Sequence, residues 1–276
     1  MRRATASPSA TTLSESPLSQ AFAGLRARGR TALIPYLTAG YPDLRASADA
    51  LRSADEVGDV LEVGVPFSDP LADGPTIQRS TFRALEQGMT LAGALDLIDR
   101  CKPVRPVVVF SYLNPILRYG LQRFLHDADS IGVAGLLLTD LPAGGDPSVE
   151  IEIGRSPLDL IRLVAPTTRP ERLAVAVQGA EGFIYLVSRL GVTGASASLA
   201  DDLAPSIARV REATPLPVAV GFGISTAEQA AAVGRLADGV VVGSALVDVL
   251  GTDGVPAARR FLERLRAGLD LAPAMA

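Results

Sequence analysis

Three acidic residues lie close together in a proline-rich stretch, Leu61-Glu-Val-Gly-Val-Pro-Phe-Ser-Asp-Pro-Leu-Ala-Asp-Gly-Pro75. Glu62 lies within or just past an apolar run that reads as a strand, where an unpaired carboxylate is costly. One interpretation is a buried glutamate satisfied by a structural hydrogen bond. The other is a general acid or base whose pKa is raised by apolar surroundings. Asp73 precedes Gly74, a pairing that is also typical of an ordinary turn.

Two short glycine segments near the end of the chain point to an anion. They read Gly221-Phe-Gly-Ile-Ser225 and Gly243-Ser244, and each lies where a strand passes into a helix. Glycine lets the backbone approach a ligand, and a helix N-terminus favours negative charge. We therefore predict a phosphate site. The segment Ser188–Asp201, with Gly191 and Gly194, is either a linker or a lid that closes over a phosphorylated substrate.

The chain has one histidine, one lysine and one cysteine, namely His126, Lys102 and Cys101. This excludes a Cys/His zinc cluster, and nucleophilic triads could use only His126, which we expect on a helix surface. Lys102 precedes the third predicted strand, at the end away from a barrel's active site, which argues against Schiff-base chemistry. The remaining candidates are carbon or proton chemistry carried out by two carboxylates on a phosphorylated substrate.

Composition excludes several other classes of function. The net charge of -4 comes without a basic stripe, so we expect no nucleic-acid partner. No run of eighteen apolar residues occurs, so we expect no membrane span. Residues 1–20 carry Ser, Thr and Pro where a secretory signal would be apolar, and we predict a disordered tail on a cytoplasmic protein. The single cysteine fits a reducing compartment.

Eight short apolar runs alternate with stretches of helical spacing. This alternation predicts a single α/β domain that carries both the acidic and the glycine segments. Strands that are apolar throughout are those buried on both faces of a parallel sheet. The predicted strands are Thr31–Thr38, Val60–Val63, Val107–Phe110, Gly135–Leu138, Leu160–Val164, Phe183–Leu186, Val218–Val220 and Val240–Val242. We predict one α/β domain over residues 21–276, a closed (β/α)₈ TIM barrel, with an open eight-stranded sheet as the alternative.

Amphipathic spacing predicts helices between these strands and one after the last. They cover Leu44–Glu56, Leu91–Cys101, Leu121–Ile131, Ser206–Ala213 and Pro256–Leu269, and a capping box is predicted at Ser225-Thr-Ala-Glu228. In a (β/α)₈ barrel the active site forms at the carboxyl ends of the strands, and phosphate commonly binds after strands 7 and 8. The acidic and glycine segments both occupy such loops.

Several segments resemble the signature segments of tryptophan synthase α subunits. The most specific is Leu61–Gln78, and Ala32–Asp43, Tyr185–Gly194, Tyr112–Pro115, Asp140–Pro142 and Gly221–Ser225 also match. The resemblance covers about residues 20 to 270. It implies a lyase that cleaves indole-3-glycerol phosphate to indole and glyceraldehyde 3-phosphate, in the last stage of L-tryptophan biosynthesis, at a site that needs no metal and no cofactor.

The resemblance also implies roles for individual residues. The general acid/base falls on Glu62, the carboxylate that binds the indole N–H falls on Asp73, and Tyr185 is the tyrosine that hydrogen-bonds near those acids. The remaining implied residues surround the substrate: Gly194, Gly223, Gly243 and Ser244 at the phosphate, Thr193 in the lid, and Tyr36, Tyr112 and Phe222 at the pocket or lid.

The family further implies a partner, a pyridoxal-phosphate-dependent β subunit in an α₂β₂ complex. Alternatives are a stand-alone lyase that releases free indole, a non-catalytic activator of a β subunit, and a different phosphosugar isomerase. One segment, residues 143–157, departs from the charged, Ala-rich helix of relatives and has little helix propensity. We expect a distorted or partly disordered helix there, which puts coupling to the β subunit in question.

Overall fold

Eight parallel strands close into a barrel in chain order. The computed structural model describes residues 16–187, 196–221 and 223–271, with the side chains of 196–202 excluded. The strands are β1 (Ala32–Thr38), β2 (Leu61–Gly64), β3 (Val107–Ser111), β4 (Val133–Leu138), β5 (Asp159–Val164), β6 (Ile184–Val187), β7 (Val218–Gly221) and β8 (Gly239–Val242). The predicted (β/α)₈ barrel is confirmed, and the open-sheet alternative is wrong because β8 pairs with β1.

Helices alternate with the strands, and most of them cover the outside of the barrel. They are α1 (Pro17–Arg26), α2 (Leu44–Val57), α3 (Pro75–Glu86), α4 (Leu91–Cys101), α5 (Leu113–Tyr119), α6 (Leu121–Ser130), α7 (Pro147–Ile153), α8 (Pro170–Ala176), α9 (Ser196–Ala213), α10 (Ala227–Gly234) and α11 (Ser244–Asp270). No helix in the described ranges combines the length and apolar character that crossing a membrane requires.

The first helix corrects the predicted tail. Since α1 begins at Pro17, the prediction of disorder is wrong for residues 17–20, and residues 1–15 lie outside the described ranges. Leu18, Phe22 and Leu25 are buried and join the cluster of side chains that fills the barrel interior. This helix therefore packs against the interior residues of the barrel rather than against its outer face.

Each strand alternates between the barrel interior and the helix layer. On β2, Leu61 and Val63 belong to the outer cluster, whereas Val60, just before the strand, belongs to the interior cluster. Because side chains alternate along a strand, Glu62 shares the face of Val60 and points inward. The sequence could place Glu62 on a strand but could not choose its face, since the whole run is apolar.

Residues 143–157 contain a short regular helix, α7. Asp146 caps it by accepting hydrogen bonds from Ser148 N–H and Val149 N–H, and Pro147 occupies its first turn. Glu150 on this helix forms a partly buried ion pair with Arg162 of β5, which also donates to the carbonyl of Leu141 at 3.2 Å. The expectation of disorder is wrong for residues 147–153, where the Asp146 cap compensates for part of the low intrinsic propensity.

Three further boundaries differ from the prediction. The capping box lies one residue later, with Thr226 and Gln229 as the reciprocal pair. Helix α9 begins at Ser196, so the loop predicted through Asp201 ends earlier. The predicted final helix is the second part of α11, which bends at Gly254, where φ is 77°. His126 is exposed on α6 as expected, and Lys102 ends α4 in a left-handed conformation.

Candidate active site

Glu62 is a buried carboxyl group without a partner. The residue is 1% exposed, and neither carboxyl oxygen has a hydrogen-bond partner among the described residues. Burial raises its pKa to about 8, because an apolar environment disfavours the charged form. The structural hydrogen bond of the alternative interpretation is not observed. At neutral pH the group is therefore protonated and can act as a proton donor.

Asp73 is a partly buried carboxyl group held by a tyrosine. The Tyr112 hydroxyl donates to Asp73 Oδ2 at 3.2 Å and accepts from the Ala72 N–H at 2.9 Å. Burial raises the pKa of Asp73 to about 6, while the hydrogen bond from Tyr112 opposes the rise. Asp73 is thus ionised above about pH 6, where Glu62 still carries its proton. Environments that separate two carboxyl pKa values in this way are typical of acid/base sites.

Two tyrosines reach over glycines on neighbouring strands. A Cβ added to Gly64 of β2 would lie 2.0 Å from the Tyr36 hydroxyl, and one added to Gly221 of β7 would lie 2.1 Å from the Tyr185 hydroxyl. Any larger residue at either glycine would displace the tyrosine. Burial raises the pKa of both tyrosines far above the ordinary value, and the nearby Glu62 adds to the rise.

The N-terminus of helix α11 lies near Tyr36 and Asp73, although it comes much later in the sequence. Helix α11 begins at Ser244 directly after β8, and its N-cap, Gly243, provides no side-chain hydrogen bond. The first backbone N–H groups of a helix lack partners within it and attract anions. Gly223, after β7, has a φ of 76°, a conformation that favours glycine. These features provide a place for a phosphate group.

The two groups of residues meet in one cavity of about 260 Å³. Its lining combines apolar and aromatic side chains, one acid from the loop after β2, and the loops after β7 and β8. The lining residues are Tyr36, Asp73, Gly74, Ile77, Phe110, Tyr185, Gly223, Ile224, Ser225, Gly243, Ser244, Ala245 and Asp248. Glu62 is not a lining residue; it lies deeper, on the interior face of β2 beside Tyr36.

Comparison with known proteins points to one family. A family model described as tryptophan synthase alpha chain matches residues 22–267. The tryptophan synthase alpha chain of Acidiphilium cryptum is 48% identical over 239 residues, 85% of this chain and 87% of the relative. That of Gloeobacter violaceus has the same identity over the same shares.

Solved structures of the same family resemble this chain as well. A chain of tryptophan synthase from M. tuberculosis in its aminoacrylate-bound form has a TM-score of 0.84 at 39% identity, covering 92% of this chain and 99% of that one. Tryptophan synthase subunit alpha from Legionella pneumophila has a TM-score of 0.85 at 32% identity, covering 94% of this chain and all of the other.

This chain belongs to the tryptophan synthase alpha chain family. The family consists of lyases that cleave indole-3-glycerol phosphate. The function predicted from the sequence is therefore confirmed at this level. Of the residues that resemblance to the family singled out, six line the cavity, namely Tyr36, Asp73, Tyr185, Gly223, Gly243 and Ser244, and Tyr112 bonds to Asp73.

Three residues that the tryptophan synthase family implied, Thr193, Gly194 and Phe222, lie outside the described residues. Tyr185 lines the cavity, but it makes no hydrogen bond to Glu62 or Asp73 among the described residues. No group of three metal-ligating side chains occurs in the part of the chain that the structure describes.

Sequence reasoning missed several residues of the cavity. Ile77 on α3 and Phe110 on β3 supply much of its apolar wall, and the rings of Phe110 and Tyr36 meet edge to face at 5.3 Å. Phe110 was within a predicted strand, and its inward direction follows from alternation once Val108 is known to face the interior. Gly64 gave no signal, since its role depends on the register between β1 and β2.

Proposed function

We propose that this protein cleaves indole-3-glycerol phosphate with Glu62 as the proton donor and Asp73 as the anion that stabilises the indole N–H. One observation carries the assignment: two carboxyl groups at the same barrel mouth have pKa values raised to about 8 and about 6. Between those values one is protonated while the other is charged. The cleavage requires both states at once.

Glu62 begins the reaction by protonating C3 of the indole ring. The bond between C3 and the glycerol chain can break only after the ring has become an electron acceptor. Glu62, now a carboxylate, then accepts the proton of the 3′-hydroxyl as the aldehyde forms, and the electrons of the broken bond restore the indole. Glu62 ends the cycle protonated, so that each step is a proton transfer or a carbon–carbon cleavage and needs no cofactor.

Asp73 stabilises the charge that develops during this step. Protonation at C3 places positive charge on the ring nitrogen, and a fixed carboxylate near the N–H lowers the energy of that state. Tyr112 keeps Asp73 in place through the 3.2 Å hydrogen bond. Tyr185 on β6 provides a second polar group in the same cavity.

The remaining residues bind the substrate. The backbone at Gly223, Gly243 and Ser244 binds the phosphate, and Tyr36 and Tyr112 border the indole, with Ile77 and Phe110 as apolar neighbours. Following the resemblance, we assign Gly194 to the phosphate, Thr193 to a lid that engages Asp73, and Phe222 to the same loop as Gly223.

We also propose a pyridoxal-phosphate-dependent β subunit as the partner, in an α₂β₂ complex that receives the indole. Membership in the family supports this partner, and a matching chain comes from a tryptophan synthase whose aminoacrylate form has been solved. Residues 143–157 depart from relatives, which argued against this partner. Because this segment still contains a regular helix, α7, we do not count the departure against the β subunit. We place the protein in the cytoplasm, in line with its single cysteine.

The decisive experiment measures indole release by Glu62→Gln and Asp73→Asn proteins, each with and without β subunit. Each change should lower kcat by roughly 10² to 10⁴, the usual loss for a removed acid or base. Wild-type turnover that rises strongly with β subunit supports the complex, whereas fast turnover alone supports a stand-alone lyase. Unchanged activity in either variant contradicts the assigned roles, and no cleavage by wild type with β subunit indicates a non-catalytic activator.

A further inference from the structure

Glu62 has apolar neighbours on the side away from the cavity. The interior cluster beneath it includes Leu18, Phe22, Val108 and Phe183, and its one hydroxyl-bearing member, Tyr185, lines the cavity. None of the four apolar side chains can donate a hydrogen bond to an ionised Glu62. Under the proposed function this matters, because Glu62 becomes a carboxylate each time it gives its proton to the substrate. A donor for that carboxylate must come from the cavity side.

The Tyr36 hydroxyl occupies the position next to Glu62 on the cavity side. Tyr36 and Glu62 are direct partners across β1 and β2, and both side chains face the interior. Gly64 is the next inward position above Glu62 on the same strand, because inward positions alternate. The Tyr36 hydroxyl lies only 2.0 Å from where the Cβ of a residue at 64 would be. The hydroxyl thus takes the place of the side chain that Gly64 lacks.

The pKa shift of Tyr36 is consistent with a hydroxyl placed near Glu62. Burial raises the pKa of Tyr36, the charges of Asp73 and Glu62 add to the rise, and a hydrogen bond with Thr38 opposes it, so that both acids act electrostatically on this hydroxyl. Asp73 already accepts a hydrogen bond from Tyr112. Glu62 has none among the described residues. The neighbouring Thr38 hydroxyl bonds to Ser80 at 2.7 Å and also to the Tyr36 hydroxyl, which keeps its own proton for another acceptor.

We propose that the Tyr36 hydroxyl donates a hydrogen bond to Glu62 once that carboxyl has released its proton, and is thereby a positioning residue for the proton donor. The inference rests on the proposed role of Glu62 and gives Tyr36 a task beyond bordering the indole. Hydrogen bonds to a charged group are stronger than neutral ones. The contact therefore forms when the negative charge appears and is released when Glu62 takes a proton back.

The titration of Glu62 provides a readout that an apolar wall residue would not change. The titratable groups facing this region come from β1, β2, β6, α11 and the loops after β2 and β3. They are Tyr36, Glu62, Tyr185, Asp248, Asp73 and Tyr112. Activity should fall at low pH as Asp73 is protonated and at high pH as Glu62 is deprotonated, which gives two separate limbs.

The test compares the pH dependence of kcat for wild type, Tyr36→Phe and Gly64→Ala. Phenylalanine keeps the ring against Phe110 and removes only the hydroxyl, whereas Gly64→Ala displaces the hydroxyl and keeps every tyrosine. Loss of a donor to the ionised form raises the Glu62 pKa, so the high-pH limb should move up by roughly one to two pH units. We expect kcat to fall about tenfold or more at neutral pH, with a much smaller change in KM.

Tyr119→Phe serves as the matched control, since the Tyr119 hydroxyl bonds to Asp127 on α6, away from the cavity. It should leave both limbs unchanged. A high-pH limb that stays in place in Tyr36→Phe overturns the inference, as does movement of the low-pH limb alone, which would assign the hydroxyl to Asp73. Full activity of Glu62→Gln would instead overturn the proposed function.

A second measurement, which does not depend on turnover, tests the contact between Tyr36 and Glu62 directly. Isotope-edited infrared spectroscopy of ¹³C-glutamate protein, with Glu62→Gln to assign the band, follows the Glu62 carboxyl directly. The band should titrate at a higher pH in Tyr36→Phe than in wild type. If the band titrates at the same pH in both proteins, Tyr36 does not contact the ionised carboxyl.

Discussion

Asp73 depends for its position on a residue 39 places further along the chain. Tyr112 donates to its carboxylate and accepts from Ala72 N–H, so that one hydroxyl bonds both the side chain and the loop backbone. Tyr112→Phe should therefore raise the pKa of Asp73 above about 6, since the hydrogen bond opposes protonation. We expect activity to fall up to about tenfold near pH 6, the effect of one pKa unit, and far less at pH 8.

Steady-state pH profiles of the two proteins measure this difference. The low-pH limb should move to higher pH in Tyr112→Phe while the high-pH limb stays in place. An equal loss of activity at every pH would contradict the prediction, because it would mean that Tyr112 shapes the loop without affecting the ionisation of Asp73.

Single residues of the site were only partly predictable from the sequence. Glu62 and Asp73 lie in a segment specific enough to indicate their roles, and the glycines after β7 and β8 follow from the barrel rule. The bond from Tyr112 to Asp73 and the contact of Tyr36 with Gly64 could not be predicted. Both depend on how separate strands align, which the local sequence does not specify.

Among the helices, α1 was not predicted, although the spacing of its apolar residues is typical of a helix. Leu18, Phe22 and Leu25 recur at helical spacing, but the Ser/Thr/Pro-rich residues before them favoured a tail. The strands were predicted to within two residues, because parallel strands buried on both faces read as continuous apolar runs. Disorder was expected where α7 forms, because helix propensity takes no account of the Asp146 cap or of the contact between Glu150 and Arg162 of β5.

A buried acid ties α1 to the barrel. Asp159, at the start of β5, accepts a hydrogen bond from Ser16, the N-cap of α1, and burial raises its pKa from 3.8 to about 6. A folded-state pKa above the unfolded value means that stability is full below about pH 4 and declines as pH rises toward 6. In Asp159→Asn this decline should be absent, a difference of up to roughly 3 kcal/mol.

Urea unfolding of both proteins at pH 4.5 and pH 7.5 tests the role of Asp159. The free energy of unfolding of Asp159→Asn, relative to wild type, should increase between the two pH values. Ser16→Ala removes the hydrogen bond but keeps the acid, so its pH dependence should persist. A relative stability of Asp159→Asn that does not vary with pH would contradict the prediction.

For the whole molecule, the raised pKa of Glu62 means that the charged form of the catalytic acid lowers the stability of the fold. Glu62 titrates at 4.5 when exposed and at about 8 in the folded protein. Stability is therefore full below pH 4.5 and is lost as pH rises through 8, because the unfolded chain releases the proton first. The loss is a few kcal/mol, about 1.4 kcal/mol for each pKa unit.

Replacing Glu62 by glutamine removes this pH dependence together with the activity. The unfolding free energy of Glu62→Gln, minus that of wild type, should rise steadily from pH 5 to pH 8.5, while Glu212→Gln on the exposed face of α9 should show no such trend. Chemical denaturation across this range measures both. A flat difference for Glu62→Gln would place the Glu62 pKa near its ordinary value and would remove the physical basis for a proton donor at neutral pH. A rising difference would show that the carboxyl group which makes the cleavage feasible also destabilises the folded barrel when it is charged, as expected where activity and stability oppose each other.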